Sequence, residues 1–164
     1  AATVGDIRVV DLYVVNGQEV GSEKYSYKLA WLDALRNWLA DEIKRYPKLV
    51  VLGDFNIAPD DRDVYDPVAW GEQILCSPAE RAALRGLLDL GLHDSYRLLR
   101  EDGGQFSWWD YRQAGFQRNL GLRIDLVLIS EALRASATAV GIDREPRSWE
   151  RPSDHAPVWV DLRP

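Results

Sequence analysis

The 164 residues carry 20 basic and 26 acidic side chains, a net charge of −6, and one cysteine. That length allows a single domain with a substantial core, or a large piece of a bigger one. The acidity argues against a simple basic clamp for nucleic acid, and no apolar run reaches the length of a membrane span.

Cys76 has no internal disulfide partner, which fits a reducing, cytoplasmic setting. The chain contains no methionine and starts at Ala1, so it reads as an excised or processed fragment with no signal peptide before Ile7. Acidity is a weak veto on phosphate-bearing partners, because carboxylates around a divalent metal present the ion, not themselves, to the phosphate. Basic residues also cluster locally, at Arg112, Arg118 and Arg123 and again at Arg144, Arg147 and Arg151.

In chain order, Ile7 to Val15 reads as a strand, with Tyr13 near its end and a turn at Asn16–Gly17. Ser22 is placed to cap a long helix. Leu29, Leu32, Leu35, Leu39 and Ile43 recur along it at helical spacing, Lys44 and Arg45 suit its C-terminal end, and Pro47 stops it. Leu49 to Leu52 is a strand apolar on both faces, and Gly53 brings the backbone to a tight point. Asp54 and Asn56 follow, two residues apart, a spacing that puts both side chains on one face of an extended chain. A strand-to-turn transition would account for Gly, Asp and Asn there. Phosphate chemistry would use the same pair, Asp54 to move a proton and Asn56 to hold a phosphate oxygen.

Residues 57–76 are polar and rich in Asp and Pro, and read as a solvated surface loop; they lack the pattern of a calcium loop. Ser77-Pro78-Ala79-Glu80 starts a helix with a serine cap, a proline at the first position and a glutamate at the third. That helix buries Leu84, Leu87 and Leu88 and ends at Gly91, and His93 and Asp94 precede a short helix. Phe106 to Arg112 is an aromatic run. Arg123 to Ile129 is a second strand apolar on both faces, interrupted by Asp125, a carboxylate that must be paired, hydrogen-bonded or metal-linked. Ser130 is placed to cap a short helix, Thr138 to Ile142 reads as a strand, and a basic loop leads through Ser153-Asp154-His155-Ala156-Pro157 to a last strand, Val158 to Leu162.

Alternating strands and helices give an α/β or α+β domain. Two substantial helices cannot cover both faces of these strands, so one face is expected to pack on something outside the chain, most simply a second sheet. Tyr13, Asp54, Asn56, Asp125, Asp154 and His155 each lie at or beside the end of an apolar strand, where they could converge on one rim. Such a set meets the needs of phosphodiester hydrolysis: a water made more basic, a divalent metal, and donors for growing negative charge. No Gly-x-Ser-x-Gly elbow is present, and the two histidines lie too far apart in sequence for a zinc motif.

Gly53-Asp54-Phe55-Asn56, Arg123-Ile124-Asp125-Leu126 and Ser153-Asp154-His155-Ala156-Pro157 resemble, in that order, the motifs of the endonuclease/exonuclease/phosphatase superfamily. Phe106 to Arg112 and Leu122 to Asp125 further resemble the bacterial exodeoxyribonuclease III type of abasic-site endonuclease. The resemblance implies half of a four-layer α/β/β/α sandwich, with helices on the outer face of one mixed sheet. It implies a DNA-repair hydrolase dependent on Mg²⁺ or Mn²⁺, acting on double-stranded DNA at abasic sites and at 3′ ends.

Carried over by position, Asp54 would be the acid/base residue, protonating the leaving 3′ oxygen or activating water. Asn56 and Tyr13 would contact the phosphate, and His155, oriented by Asp125, would contact it or assist the water. Asp154 would be a metal-site carboxylate. Trp108, Leu122 and Ile124 would form an apolar pocket for a flipped-out abasic sugar, with Arg112 and Arg123 on the DNA. The family's N-terminal half, with its main metal-ligand glutamate and second sheet, is absent here. The sheet is then expected to be covered by that half or by a second copy, with little activity from this chain alone. A nuclease-dead nucleic-acid-binding regulator and a phosphatase or lipid phosphodiesterase are the competing readings.

Overall fold

The computed structural model describes residues 1–163. The chain runs β1 (Ala2–Val4), β2 (Ile7–Tyr13), α1 (Glu23–Arg45), β3 (Leu49–Asp54), α2 (Pro67–Trp70), α3 (Pro78–Leu88) and β4 (Leu92–Asp94). It continues through α4 (Ser95–Leu99), β5 (Trp108–Trp109), β6 (Gly121–Leu122), β7 (Asp125–Ser130), α5 (Glu131–Arg134), β8 (Ala137–Ile142) and β9 (Val158–Leu162). Five strands form a mixed sheet in the order β1-β2-β3-β7-β4, in which only β2 and β3 run parallel. Two small antiparallel pairs, β5–β6 and β8–β9, stand apart from it.

One face of the sheet packs on α1 and α3. Val10, Leu49, Val51, Leu126 and Leu128 from the strands meet Leu32, Leu35, Leu39, Leu84 and Leu87 from the helices. Ser22 caps α1 by accepting from the Tyr25 N–H, and Ser77 with Glu80 closes a reciprocal capping box on α3. The other face is not left to an external partner throughout. Val50, Val127 and Ile129 pack with Leu133, Val158, Val160 and Leu162, so β8 and β9 supply a piece of second sheet from within the chain. Ile7, Val9 and Leu52 stay half-buried beyond it.

Several expectations change. Residues 57–76 are not a solvated loop: Ile57, Ala58, Val64, Leu75 and Cys76 are buried, and α2 lies within the segment. Ser130 does not cap α5 with its side chain. Its hydroxyl accepts from the Leu49 N–H at 3.0 Å and donates to the Pro47 carbonyl at 2.6 Å, tying β7 to the start of β3. His93 is part of β4 and pairs with Glu131.

Arg123, expected on DNA, is 1 % exposed. Its guanidinium donates to Asp63 (2.7 and 3.1 Å) and Asp94 (3.2 and 2.7 Å), and Arg97 bonds Asp63 as well. Burial works against its charge, but the two carboxylates outweigh that and hold its pKa above the ordinary value. Arg123 therefore fastens the 60–63 turn to the start of β7. Arg123→Met would take from Asp94 its counter-charge and leave Asp63 with Arg97 alone, a loss of about 3–5 kcal/mol. Thermal melting is expected to fall by roughly 10 °C; an unchanged melt would show the network to be dispensable.

Candidate active site

The site begins with register. Across β2 and β3, Tyr13 pairs with Asp54, and across β3 and β7, Asp54 pairs with Asp125, so three polar side chains stand in one row at the sheet's end. Gly53 makes the row possible. Its φ is +134°, and a Cβ there would lie 1.9 Å from the Leu12 carbonyl oxygen.

The next element is a small backbone lattice. The buried Ser107 hydroxyl accepts from the N–H groups of Ile124 and Asp125, both at 3.0 Å, which aims the start of β7. Trp108 bridges to His155, Trp109 N–H donates to the Asp154 carbonyl at 3.0 Å, and Ala156 N–H donates to the Ser107 carbonyl at 2.7 Å. This seats His155 against the sheet, with Nδ1 2.8 Å from Asp125 Oδ2.

Asn56 lies just past the strand in a left-handed conformation, φ +48°. Its backbone N–H donates to Asp54 Oδ1 at 2.8 Å, and its side-chain amide donates to Asp54 Oδ2 and the Val14 carbonyl, each at 2.9 Å. Asn16 Nδ2 donates to Asn56 Oδ1 at 3.4 Å. Asn56 is only 5 % exposed, so the amide holds the Asp54 carboxylate instead of standing open to solvent. Tyr13 is its opposite, 63 % exposed at the strand end.

Burial, and next the neighbouring Asp125 charge, raise the Asp54 carboxyl to about 6. For His155 burial alone would lower the imidazole; the hydrogen bond to Asp125 and that carboxylate's charge outweigh it, so the net direction is upward. Asp54, Asp125 and His155 each offer a ligand atom within 4.8 Å of the others, the one such group among the described residues. Two carboxylates and an imidazole fit a divalent cation that favours oxygen. Asp154 stays outside this trio, with its Oδ2 accepting from Trp108 Nε1 at 3.0 Å.

The expected apolar pocket is only partly present. Leu122 and Ile124 are 0 % and 1 % exposed, covered by Ala58, Val64, Leu75 and Cys76 with Trp70, Ile74 and Trp108 packed alongside. Trp108 alone of the expected three lines an open cleft, of about 330 Å³, with Tyr65, Trp70, Asp110 and Arg112. Trp109 is core, fully buried. Arg112 reaches that cleft, but its guanidinium is clasped by Asp110 at 3.0 and 2.6 Å.

The sequence reading gave no site role to Asn16, Lys28, Glu80 or Ser107. Only Lys28 left a signal, since it falls on the buried stripe of α1 with Leu32, Leu35 and Leu39. Three ordinary polar positions, Asn16, Glu80 and Ser107, gain their roles from partners distant in the chain.

The raised Asp54 carboxyl fixes the sign of a stability effect. Between the ordinary aspartate range and about pH 6 the folded state keeps a proton that the unfolded chain gives up, so stability falls as pH rises through that window. Asp54→Asn does not titrate. In EDTA at pH 8 it is expected to melt several degrees above the wild type, with the gap closing towards pH 4. A gap of the same size at both pH values would contradict the carboxyl's burial cost.

The endonuclease/exonuclease/phosphatase family profile matches residues 2–155. Exodeoxyribonuclease III of Haemophilus influenzae is 36% identical over 97% of this chain and 62% of its own. A 3′ phosphatase, NExo from Neisseria, solved bound to product DNA hairpin, superposes with a TM-score of 0.96 at 50% identity, over 98% of this chain and 63% of that one. An AP endonuclease from Archaeoglobus fulgidus superposes with a TM-score of 0.91 at 33% identity, over 97% and 62%. The chain thus spans about three fifths of the length of these relatives.

Proposed function

The chain belongs to the endonuclease/exonuclease/phosphatase family, and we propose that it is the larger part of a Mg²⁺- or Mn²⁺-dependent DNA-repair phosphodiesterase. In the complete protein it hydrolyses the phosphoester at 3′ oxygens of duplex DNA, as an abasic-site endonuclease and a 3′→5′ exonuclease. The supporting observation is the Asp54–Asp125–His155 trio at the rim, with Tyr13 in the same row.

Each residue has a task that its surroundings suit. Asp54, raised to about 6 and gripped by Asn56, accepts a proton from the attacking water near neutral pH. As the water oxygen bonds to phosphorus the P–O3′ bond breaks, and the departing 3′ oxygen takes its proton from solvent water. The exposed Tyr13 hydroxyl donates to a phosphate oxygen, and Asp125 orients the His155 imidazole through Nδ1. Asp54, Asp125 and His155 would hold the cation, with Asp154 adjoining. When bound, the cation supplies Lewis-acid charge for the phosphate and the leaving oxygen.

A narrower reading has its own support. With Leu122 and Ile124 covered, only Trp108 of the three expected residues is left to line a slot for a flipped-out abasic sugar. End-directed hydrolysis needs no such slot, and the Neisseria relative is described as a 3′ phosphatase. Removal of 3′ phosphates and terminal nucleotides is then the stronger activity, and abasic-site incision the weaker.

The complete protein with Mg²⁺ is expected to act on both substrates, faster on the 3′-phosphorylated end, and EDTA is expected to stop it. Asp54→Asn is expected to lower kcat by at least about a hundredfold, the usual scale of a lost acid–base group. Undiminished cleavage by that variant would remove Asp54 from the chemistry.

A further inference from the structure

Lys28 carries an ammonium on a fully buried side chain, on the apolar stripe of α1. Its three donors are all used. They reach Glu80 Oε1 at 2.5 Å, the Asn56 carbonyl at 2.7 Å and the Asn16 carbonyl at 3.1 Å. Glu80 is equally committed. Its Oε1 also accepts from the Leu75 N–H, and its Oε2 from the Ser77 N–H and hydroxyl. Burying such a pair contributes little to stability compared with apolar residues of the same volume. What this pair does achieve is to join two carbonyls from separate loops, both belonging to asparagines at the rim.

The consequence runs through Asn56. Asparagine adopts the left-handed region more readily than most residues, and here the ammonium grips the carbonyl of that residue. Asn56 in turn donates to both oxygens of Asp54, and Asn16, clamped by the same ammonium, donates to Asn56 Oδ1. We propose that Lys28, anchored by Glu80, is a positioning residue for the reaction, holding Asn16 and Asn56 so that the Asp54 carboxylate points at the substrate. The proposal rests on the phosphodiesterase reading for its kinetics but on geometry alone for the placement of Asn56.

The test uses the complete protein and the double variant Lys28→Met/Glu80→Gln, which leaves no unpaired charge buried and keeps the side-chain oxygen that caps α3. Two readouts are needed: kcat and KM on a 3′-phosphorylated duplex with Mg²⁺, and the NMR signals of the Asn56 side-chain amide. The double variant is expected to remain folded, to lose about tenfold or more in kcat with KM within about twofold, and to show the Asn56 amide signals shifted or averaged.

A folded variant with wild-type kcat and unmoved Asn56 signals would overturn the proposal, and so would moved signals without a kcat loss. Inactivity of the wild type on every DNA substrate would instead fell the phosphodiesterase reading, leaving the NMR result to judge the Asn56 placement. Should the double variant not fold, Glu80→Asp alone carries the same measurements. It keeps the charge and both carboxylate oxygens but draws them back by one methylene from the Lys28 ammonium, with a kcat loss of about threefold or more expected. Full activity of that variant, with Asn56 undisturbed, would sink the idea.

Discussion

The site depends on strand register. β3 lies between β2 and β7, and the pairing that sets Tyr13 beside Asp54 and Asp54 beside Asp125 leaves no freedom for one residue to shift alone. A slip of one position would send every side chain on a strand to the opposite face and expose the leucines of the core. The burial of Leu49, Val51, Leu126 and Leu128 thereby also fixes where the carboxylates stand. Fold stability and the chemistry of the rim share one constraint.

That constraint works against electrostatic comfort. Asp54 and Asp125 are brought together with partial loss of solvent, and the raised Asp54 carboxyl records the cost. His155 relieves one side of the conflict by hydrogen-bonding Asp125, and the Asn56 amide relieves the other. A divalent cation would relieve both, which is why an acidic chain is no obstacle to a polyanionic substrate. Behind the rim, buried charges recur as fasteners: Lys28 with Glu80, and Arg123 with Asp63 and Asp94.

Much of this was legible in the sequence, for identifiable reasons. The α3 start was written in Ser77-Pro78 and Glu80, and the α1 stripe in its leucines. The rim residues could be found because each broke an otherwise apolar strand or followed its end. What failed was anything decided by distant partners. Arg123 resembled part of a basic patch until Asp63, sixty residues earlier, proved to be its partner. Leu122 and Ile124 resembled a pocket because nothing in their own stretch told that Val64 and Leu75 would cover them. Residues 57–76 resembled open loop because their polar composition concealed Ile57, Ala58 and Leu75 in the core. The missing sheet was half-answered within the chain, since β8 and β9 are local hairpin partners whose packing on β7 no periodicity announces.

The central claim is that Asp54, Asp125 and His155 form one cation-binding rim. The chain has two histidines, His155 in the rim and His93 beside Glu131, which makes a direct measurement simple. Substoichiometric Mn²⁺, a paramagnetic ion, is added while the imidazole ring signals are followed by NMR. Selective broadening of His155, lost in the Asp125→Asn variant, is the expected result. Broadening of His93 to the same extent, or of neither ring, would contradict the account.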